Sequence, residues 1–171
     1  IKFTEEVEAL GAKYYSCSQE SVLEKILELL REHGIQEILA WDDTYLPDGL
    51  VEQLRNVGIQ IVYPRSDNIL SSSQIKAGLT GSSAAVAETG SLLLLEAPGQ
   101  PLTASLLPEI HIALVWKKDI YLSLNQVIEM EAVKLSPAAV LITGPSRTAD
   151  IEMTLTIGVH GPGELHIICM E

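Results

Sequence analysis

Apolar positions along this chain recur with two different periods. In "ESVLEKILELLREH", residues 20 to 33, Val22, Leu23, Ile26, Leu27, Leu29 and Leu30 form one stripe at helical spacing, and Gly34 follows where such a helix would end. "QEILAW" then reads as a short buried strand. "PDGLVEQLRNVG" repeats the helix-then-glycine pattern and "IQIVYP" repeats the strand. Consecutive helix-strand units of this kind predict a mostly parallel sheet covered by helices, an α/β fold.

The middle of the chain changes character. "SSSQIKAGLTGSS" is small and polar, with Gly78 and Gly81 breaking regular structure, and "AAVAETG" and "SLLLLEAP" then supply two apolar runs around Thr89-Gly90. These predict a strand pair or one bent strand. The loop "APGQPLTASLLPE" carries three of the eight prolines, "IHIALVW" resumes as strand, "DIYLSLNQVIEMEAVK" has helical spacing, and "AAVLITG" reads as a buried strand. The segment after Gly144 admits two readings. Ile151, Met153, Leu155, Ile157 and Val159 alternate as in a strand, whereas Ile151, Leu155 and Val159 also share a helix face. A helix over 150–158 is favoured, because it would continue the strand-helix-strand alternation into "ELHIICM".

Composition narrows the class. A length of 171 residues with 47% hydrophobic content suits one domain with a sizeable core. No apolar run approaches the ~20 residues of a membrane span, and no basic segment leads into an apolar run at the start, so a soluble cytoplasmic protein is expected. The opening "IKFTEEVEAL" lacks an initiator Met and begins in helical pattern, which predicts a truncated N-terminus. With 23 acidic against 11 basic residues and a formal charge of −12, the overall field repels a phosphate backbone, which argues against nucleic acid. Cys17 and Cys169 are too few for the four thiolates usual in an iron-sulfur cluster, so such a cluster would belong to a partner.

Candidate chemistry lies where strands are expected to end. In open α/β sheets ligands gather outside the carboxyl ends of strands, and three polar clusters fall there: Asp42-Asp43-Thr44, Glu88-Thr89-Gly90, and Gly144 through Glu152 in "GPSRTADIE". If a helix begins near Ser146 to Thr148, its free N–H groups, with Arg147, suit a carboxylate or phosphate; the alternative is plain capping by Ser146 or Thr148, with Asp150 and Glu152 in the first turn. Glu88 follows Ala84, Ala85, Val86 and Ala87, an apolar setting in which a carboxylate is either a tuned acid, base or nucleophile or a paired structural group. Of the histidines, His111 and His160 stand beside proline-containing turns and are the better site candidates. His33 reads as a solvated helix end and His166 as structural. None forms an HxxxH or HExxH pair, so spacing predicts no metal site, and "GLTGSS" matches no nucleotide fingerprint.

Taken in order, "GLTGSSAAVAETGSLLL", "SLLPEIHIALV", "ITGPSRTADIE" and "GVHGPGELHIIC" resemble the LUD domain family, also called the lactate utilisation protein C (LutC) or YkgG family. The resemblance runs from about Gly78 to the C-terminus, and makes the chain a single LUD domain. It implies a Rossmann-like three-layer sandwich of the NagB/RpiA/CoA-transferase type. Its motif residues fall on Glu88, Thr89 and Gly90, on Leu107, Pro108 and His111, on Gly144, Pro145, Ser146, Thr148, Asp150 and Glu152, and on Gly158, His160, Gly161 and Pro162. Two departures stand out: Ser82-Ser83 replace an acidic position common before the Glu-Thr-Gly motif, and Gly99-Gln100-Pro101-Leu102 replace a basic loop.

The resemblance further implies a bacterial accessory subunit in oxidation of L-lactate to pyruvate, with no cofactor on this chain and iron-sulfur clusters in partner subunits. On that reading Glu88, His160 and Asp150 carry chemistry, and Thr89, Gly90, His111, Gly144, Ser146, Arg147, Thr148 and Glu152 bind a small carboxylate or phosphorylated metabolite, in a chain able to oligomerise. The competing expectations are a stand-alone enzyme of sugar-phosphate isomerase or CoA-transferase type using Glu88, and a non-catalytic small-anion sensor.

Overall fold

The leucine, isoleucine and valine runs become strands and the amphipathic stripes become helices in a computed structural model that describes residues 2–65, 67–149, 155–157 and 161–171. The first half contains α1 (Lys2–Ala9), β1 (Lys13–Cys17), α2 (Val22–Glu32), β2 (Glu37–Ala40), α3 (Leu50–Asn56), β3 (Gln60–Val62), α4 (Ile69–Ser72) and β4 (Ala77–Thr80). The second contains β5 (Ala84–Val86), β6 (Ser91–Leu95), α5 (Thr103–Leu106), β7 (Ile110–Trp116), β8 (Ile120–Tyr121), α6 (Leu124–Ile128) and α7 (Glu131–Leu135). It closes with β9 (Ala139–Ile142), β10 (Arg147–Ala149), β11 (Leu155–Ile157) and β12 (Glu164–Met170).

Six strands form one parallel sheet in the order β1-β12-β7-β4-β2-β3. The α/β class expected from the alternation is therefore observed. Strands buried on both faces need continuous apolar runs, and β7 and β12 supply them. The stripe of α2 buries Val22, Ile26, Leu29 and Leu30 on one face, each side chain worth roughly 1.5–3 kcal/mol of burial before entropic costs. Gly34, at φ +64°, ends that helix.

The opposite face carries Gly78, Thr80, His111 and Leu165, since Gly78 registers with His111 and His111 with Leu165. There α5 lies so close to β4 that only glycine fits at position 78: a Cβ would stand 1.8 Å from the Ala104 carbonyl oxygen. A second sheet, β8-β5-β6-β9, covers the rest. Leu92, Leu94, Val140 and Ile142 on one of its faces join the main core, and Val86, Leu93 and Leu95 on the other pack with Val127 of α6. The expected strand pair around Thr89-Gly90 is thus β5 and β6.

Several expectations are corrected. Residues 119–134 do not form one helix but run through β8, α6 and α7, and β1, which the apolar pattern did not predict, pairs with β12. β9 is not fully buried: it is the edge strand of the second sheet, with Leu141 42% exposed. Among the described residues after Gly144 no helix starts; Arg147–Ala149 pair antiparallel with Leu155–Ile157. β-Branched Thr148, Thr156 and Ile157 favour that extended pairing, and the strand period prevails over the shared helix face. Residues 150–154 and 158–160 lie outside the described residues.

Candidate functional site

The loop after β9 and the turn before β12 enclose a cavity of about 420 Å³, within the ~300–1,000 Å³ usual for small-molecule sites. Its wall includes Val140, Leu141, Ile142 and Leu165, and its polar groups include Ser105, His111, Thr143, Ser146 and Arg147. Gly144, Pro145, Gly161 and Pro162 shape the rim. His111 and Leu165 are each the second residue of their strands, so the cavity lies at the amino ends of β7 and β12. This corrects the expectation of a crevice at the carboxyl ends of the parallel sheet. The loop 143–147 does follow the carboxyl end of its own strand, but that strand belongs to the second sheet.

His111 is the chemically distinctive group. It is fully buried, its Nε2 shares a 2.8 Å hydrogen bond with Thr80 Oγ1, and its Nδ1 has no partner among the described residues. Burial, together with the neighbouring His166 ring, lowers its pKa to about 3, so the imidazole is neutral at physiological pH. A neutral imidazole has one donor and one acceptor nitrogen. With Thr80 donating to Nε2, Nδ1 carries the ring N–H; with the opposite tautomer it carries a lone pair.

The remaining predicted residues divide. Ser146 is held by its backbone N–H donating to the Pro162 carbonyl at 2.8 Å, which fastens the 144–147 loop to the turn before β12. Gly144, at φ +85°, turns the chain against Leu10. Arg147 lines the cavity, and its guanidinium donates to the Leu10 carbonyl just beyond α1, where the helix dipole favours a cation. It is thus a helix-end ligand as well as the cationic group of the rim. Thr148 lies in β10, opposite Thr156. Asp150, Glu152 and His160 fall outside the described residues.

Thr89 and Gly90 reach the site indirectly. Thr89 and Ser91 hydroxyls share a 2.8 Å hydrogen bond, and Ser91 and Thr143 share one of 2.7 Å, so a hydroxyl chain runs from the β5-β6 turn to the cavity rim. Gly90 abuts the backbone of α1 at Glu6 and Val7. Glu88 does not sit in the apolar environment expected of it. It is exposed and accepts a 2.7 Å hydrogen bond from Leu124 N–H at the start of α6, outside the described lining. The alanines before it are buried, but the turn at Thr89 carries the carboxylate outward. Asp43 likewise pairs elsewhere, with Tyr63 and Arg55, and Gly99 packs against Asp42, so neither the Asp42-Asp43 cluster nor the altered loop 99–102 faces the cavity.

Sequence reasoning missed Thr80, Ser105 and Thr143. Thr80 ends a strand and Thr143 precedes a glycine, so each reads locally as an ordinary boundary residue; only pairing of β4 with β7 and of β6 with β9 gives them their partners.

An α/β sheet with this second sheet and hydroxyl-lined loop defines the class of the protein. The LUD domain model matches residues 1–170, and the chain belongs to the LUD domain family. It is similar to "Lactate utilization protein C" of Geobacillus sp. (strain WCH70), 35% identical over 154 residues that cover 81% of this chain and 64% of that protein. It is also similar to "Uncharacterized protein YkgG" of Escherichia coli (strain K12), 30% identical over 164 residues covering 90% of this chain and 71% of that one. The crystal structure of a DUF162 family protein from Deinococcus radiodurans superposes with a TM-score of 0.73 at 25% identity, covering 99% of this chain and 94% of that chain. The chain spans about two thirds of the length of the curated relatives it matches. No described helix is long and apolar enough to cross a membrane.

Proposed function

We propose that this chain is a LUD-domain component of bacterial lactate utilisation that binds a small carboxylate in the His111 cavity and acts beside iron-sulfur partner proteins that carry the electrons. One observation supports the site: a buried, neutral imidazole whose Nδ1 has no partner among the described residues, beside a cavity of ligand size. Leaving a buried polar atom without a partner costs about 1–3 kcal/mol, which a ligand hydrogen bond would offset. Lactate and pyruvate have the matching parts. A carboxylate or carbonyl oxygen accepts from Nδ1–H and from the Ser146 hydroxyl, Arg147 supplies the nearby positive charge, and the methyl group meets the wall formed by Val140, Ile142 and Leu165. Relatives named for lactate utilisation supply the metabolic context.

Imidazole nitrogen NMR of His111 under titration with L-lactate and with pyruvate tests the ligand. A saturable shift at concentrations on the order of millimolar or below is expected, and it should need several-fold more ligand in a Ser146→Val variant, which keeps the His111 signal. Unchanged His111 resonances with both ligands would remove small 2-hydroxy and 2-oxo acids from consideration. Affinity isolation of the native full-length protein from lactate-grown cells tests the partners. A brown, lactate-reducible eluate containing cysteine-rich proteins is expected, and a colourless protein recovered alone refutes the subunit role.

A further inference from the structure

On the face of the main sheet opposite His111, three residues distant in sequence converge. His33 follows the last turn of α2, Glu164 opens β12 and His166 lies two residues further along that strand, on the same side. One ligand-capable atom from each lies within 4.8 Å of the others. Glu164 Oε2 is 3.3 Å from His166 Nε2 and 3.7 Å from His33 Nε2. For a tetrahedral ion with bonds of about 2.0–2.1 Å, neighbouring ligand atoms stand about 3.3 Å apart, a spacing the Glu164–His166 pair already has, with the His33 atom near enough to close the third corner by a small shift of its exposed side chain.

The protonation states agree with that geometry. Burial holds His166 below the ordinary imidazole range, only partly offset by its hydrogen bond with Glu164, so the ring is uncharged and its Nε2 becomes a ligand once the proton it shares with Glu164 passes to Nδ1. For Glu164 burial acts upward, but the His166 hydrogen bond and the charges of His33 and Lys13 carry the carboxyl below its usual value, so it is an anion. Support behind the ligand is present too: Tyr15 Oη lies 3.2 Å from His166 Nδ1. A phenol hydroxyl both donates and accepts. When a metal displaces the Nε2 proton, Nδ1–H donates to Tyr15, the outer-shell bond that orients a metal-bound histidine.

We infer that His33, Glu164 and His166 form a binding site for one divalent transition-metal ion of the zinc class, with a fourth position open to water. Two imidazoles and one carboxylate select such an ion over magnesium or calcium, which prefer all-oxygen ligands. Lys13, whose ammonium is 3.6 Å from Glu164 Oε2 on a half-exposed side chain, is the competing cation and moves aside on binding.

The test uses the chain with any affinity tag removed and stripped by chelator. Cobalt(II) titration followed by visible absorption, and zinc competition against a chromophoric chelator, are expected to give one ion per chain. The cobalt spectrum should lack sulfur-to-metal charge transfer, which separates this site from Cys17 and Cys169. His33→Ala, at the solvent-facing end of α2, should weaken binding at least about tenfold while leaving the stripped protein's melting temperature unchanged. Glu164→Gln should do likewise, and Lys13→Ala should tighten binding several-fold. Absence of stoichiometric binding, a thiolate spectrum, or unchanged affinity in the His33→Ala or Lys13→Ala variants would overturn the assignment.

Discussion

Replacing Gly78 by alanine tests whether α5 rests on β4 as closely as the fold requires. The added Cβ would lie 1.8 Å from the Ala104 carbonyl oxygen and 3.0 Å from both Ala104 C and Pro108 Cγ. The first contact falls about 1.6 Å short of ordinary van der Waals distance, comparable to the ~1.5 Å rise of one helical residue. The obstacle is backbone rather than a flexible side-chain tip, so α5 must move as a unit. Overpacking of this kind costs about 1–3 kcal/mol and occasionally more; a value near 3 kcal/mol is expected here. For a chain of this size that lowers the melting temperature by roughly 6–12 °C. Gly34→Ala is the control: nothing stands within 4 Å of its Cβ, and only the φ of +64° opposes it, at about 1 kcal/mol. Thermal and urea unfolding followed by circular dichroism measure both. Because Ser105 and Leu106 ride on α5 and line the cavity, Gly78→Ala should also weaken ligand binding there. If the two variants are destabilised equally, the close approach of α5 to β4 is wrong.

Further outcomes follow from single groups. His111 is depressed to about 3 in the folded protein against about 6.5 unfolded, so its contribution is fully present above pH 6.5 and is lost as pH falls toward 3. That loss reaches about 2 kcal/mol by pH 5, and His111→Gln should reduce the difference in urea stability between pH 7 and pH 5 by that amount; an unaltered difference would refute the buried neutral imidazole. Glu88→Ala removes the acceptor for Leu124 N–H and should cost about 0.5–1 kcal/mol in chemical denaturation, with no effect on binding in the His111 cavity. A large loss of binding would show that Glu88 reaches the ligand after all. Ser91→Ala breaks the hydroxyl chain at its buried middle member, with an expected cost of about 1–3 kcal/mol and a change in the chemical environment of Thr143 visible by NMR. Stability within experimental error of the parent would refute that chain.

Local pattern made much of the architecture legible. The stripe from Val22 to Leu30, the glycine at 34 and the apolar runs of β2, β7 and β12 each satisfy one geometric period, and a helix or strand of this length needs little more than such a period to be recognised. The motif order carries the family, and "ITGPSR" marks a place where a strand ends in polar residues. The local rule failed where two periods coexist. From Ile151 to Val159 both strand and helix spacings fit, and at Leu155–Ile157 pairing with Arg147–Ala149 decides for the strand. It failed again at Glu88, where neighbours in sequence are buried but the carboxylate turns out to solvent.

What the sequence by itself determined is therefore the periodic elements, their helix-strand alternation and the family they belong to, because each depends on residues within a few positions of one another. Which atoms meet was decided only by the tertiary structure. Thr80 faces His111 because β4 and β7 are parallel neighbours in one register, the loop after β9 reaches that histidine because a second sheet packs on the first, and His33, Glu164 and His166 converge because α2 ends over the start of β12. Such contacts depend on strand order and layer packing between segments up to more than a hundred residues apart, and no spacing along the chain encodes them.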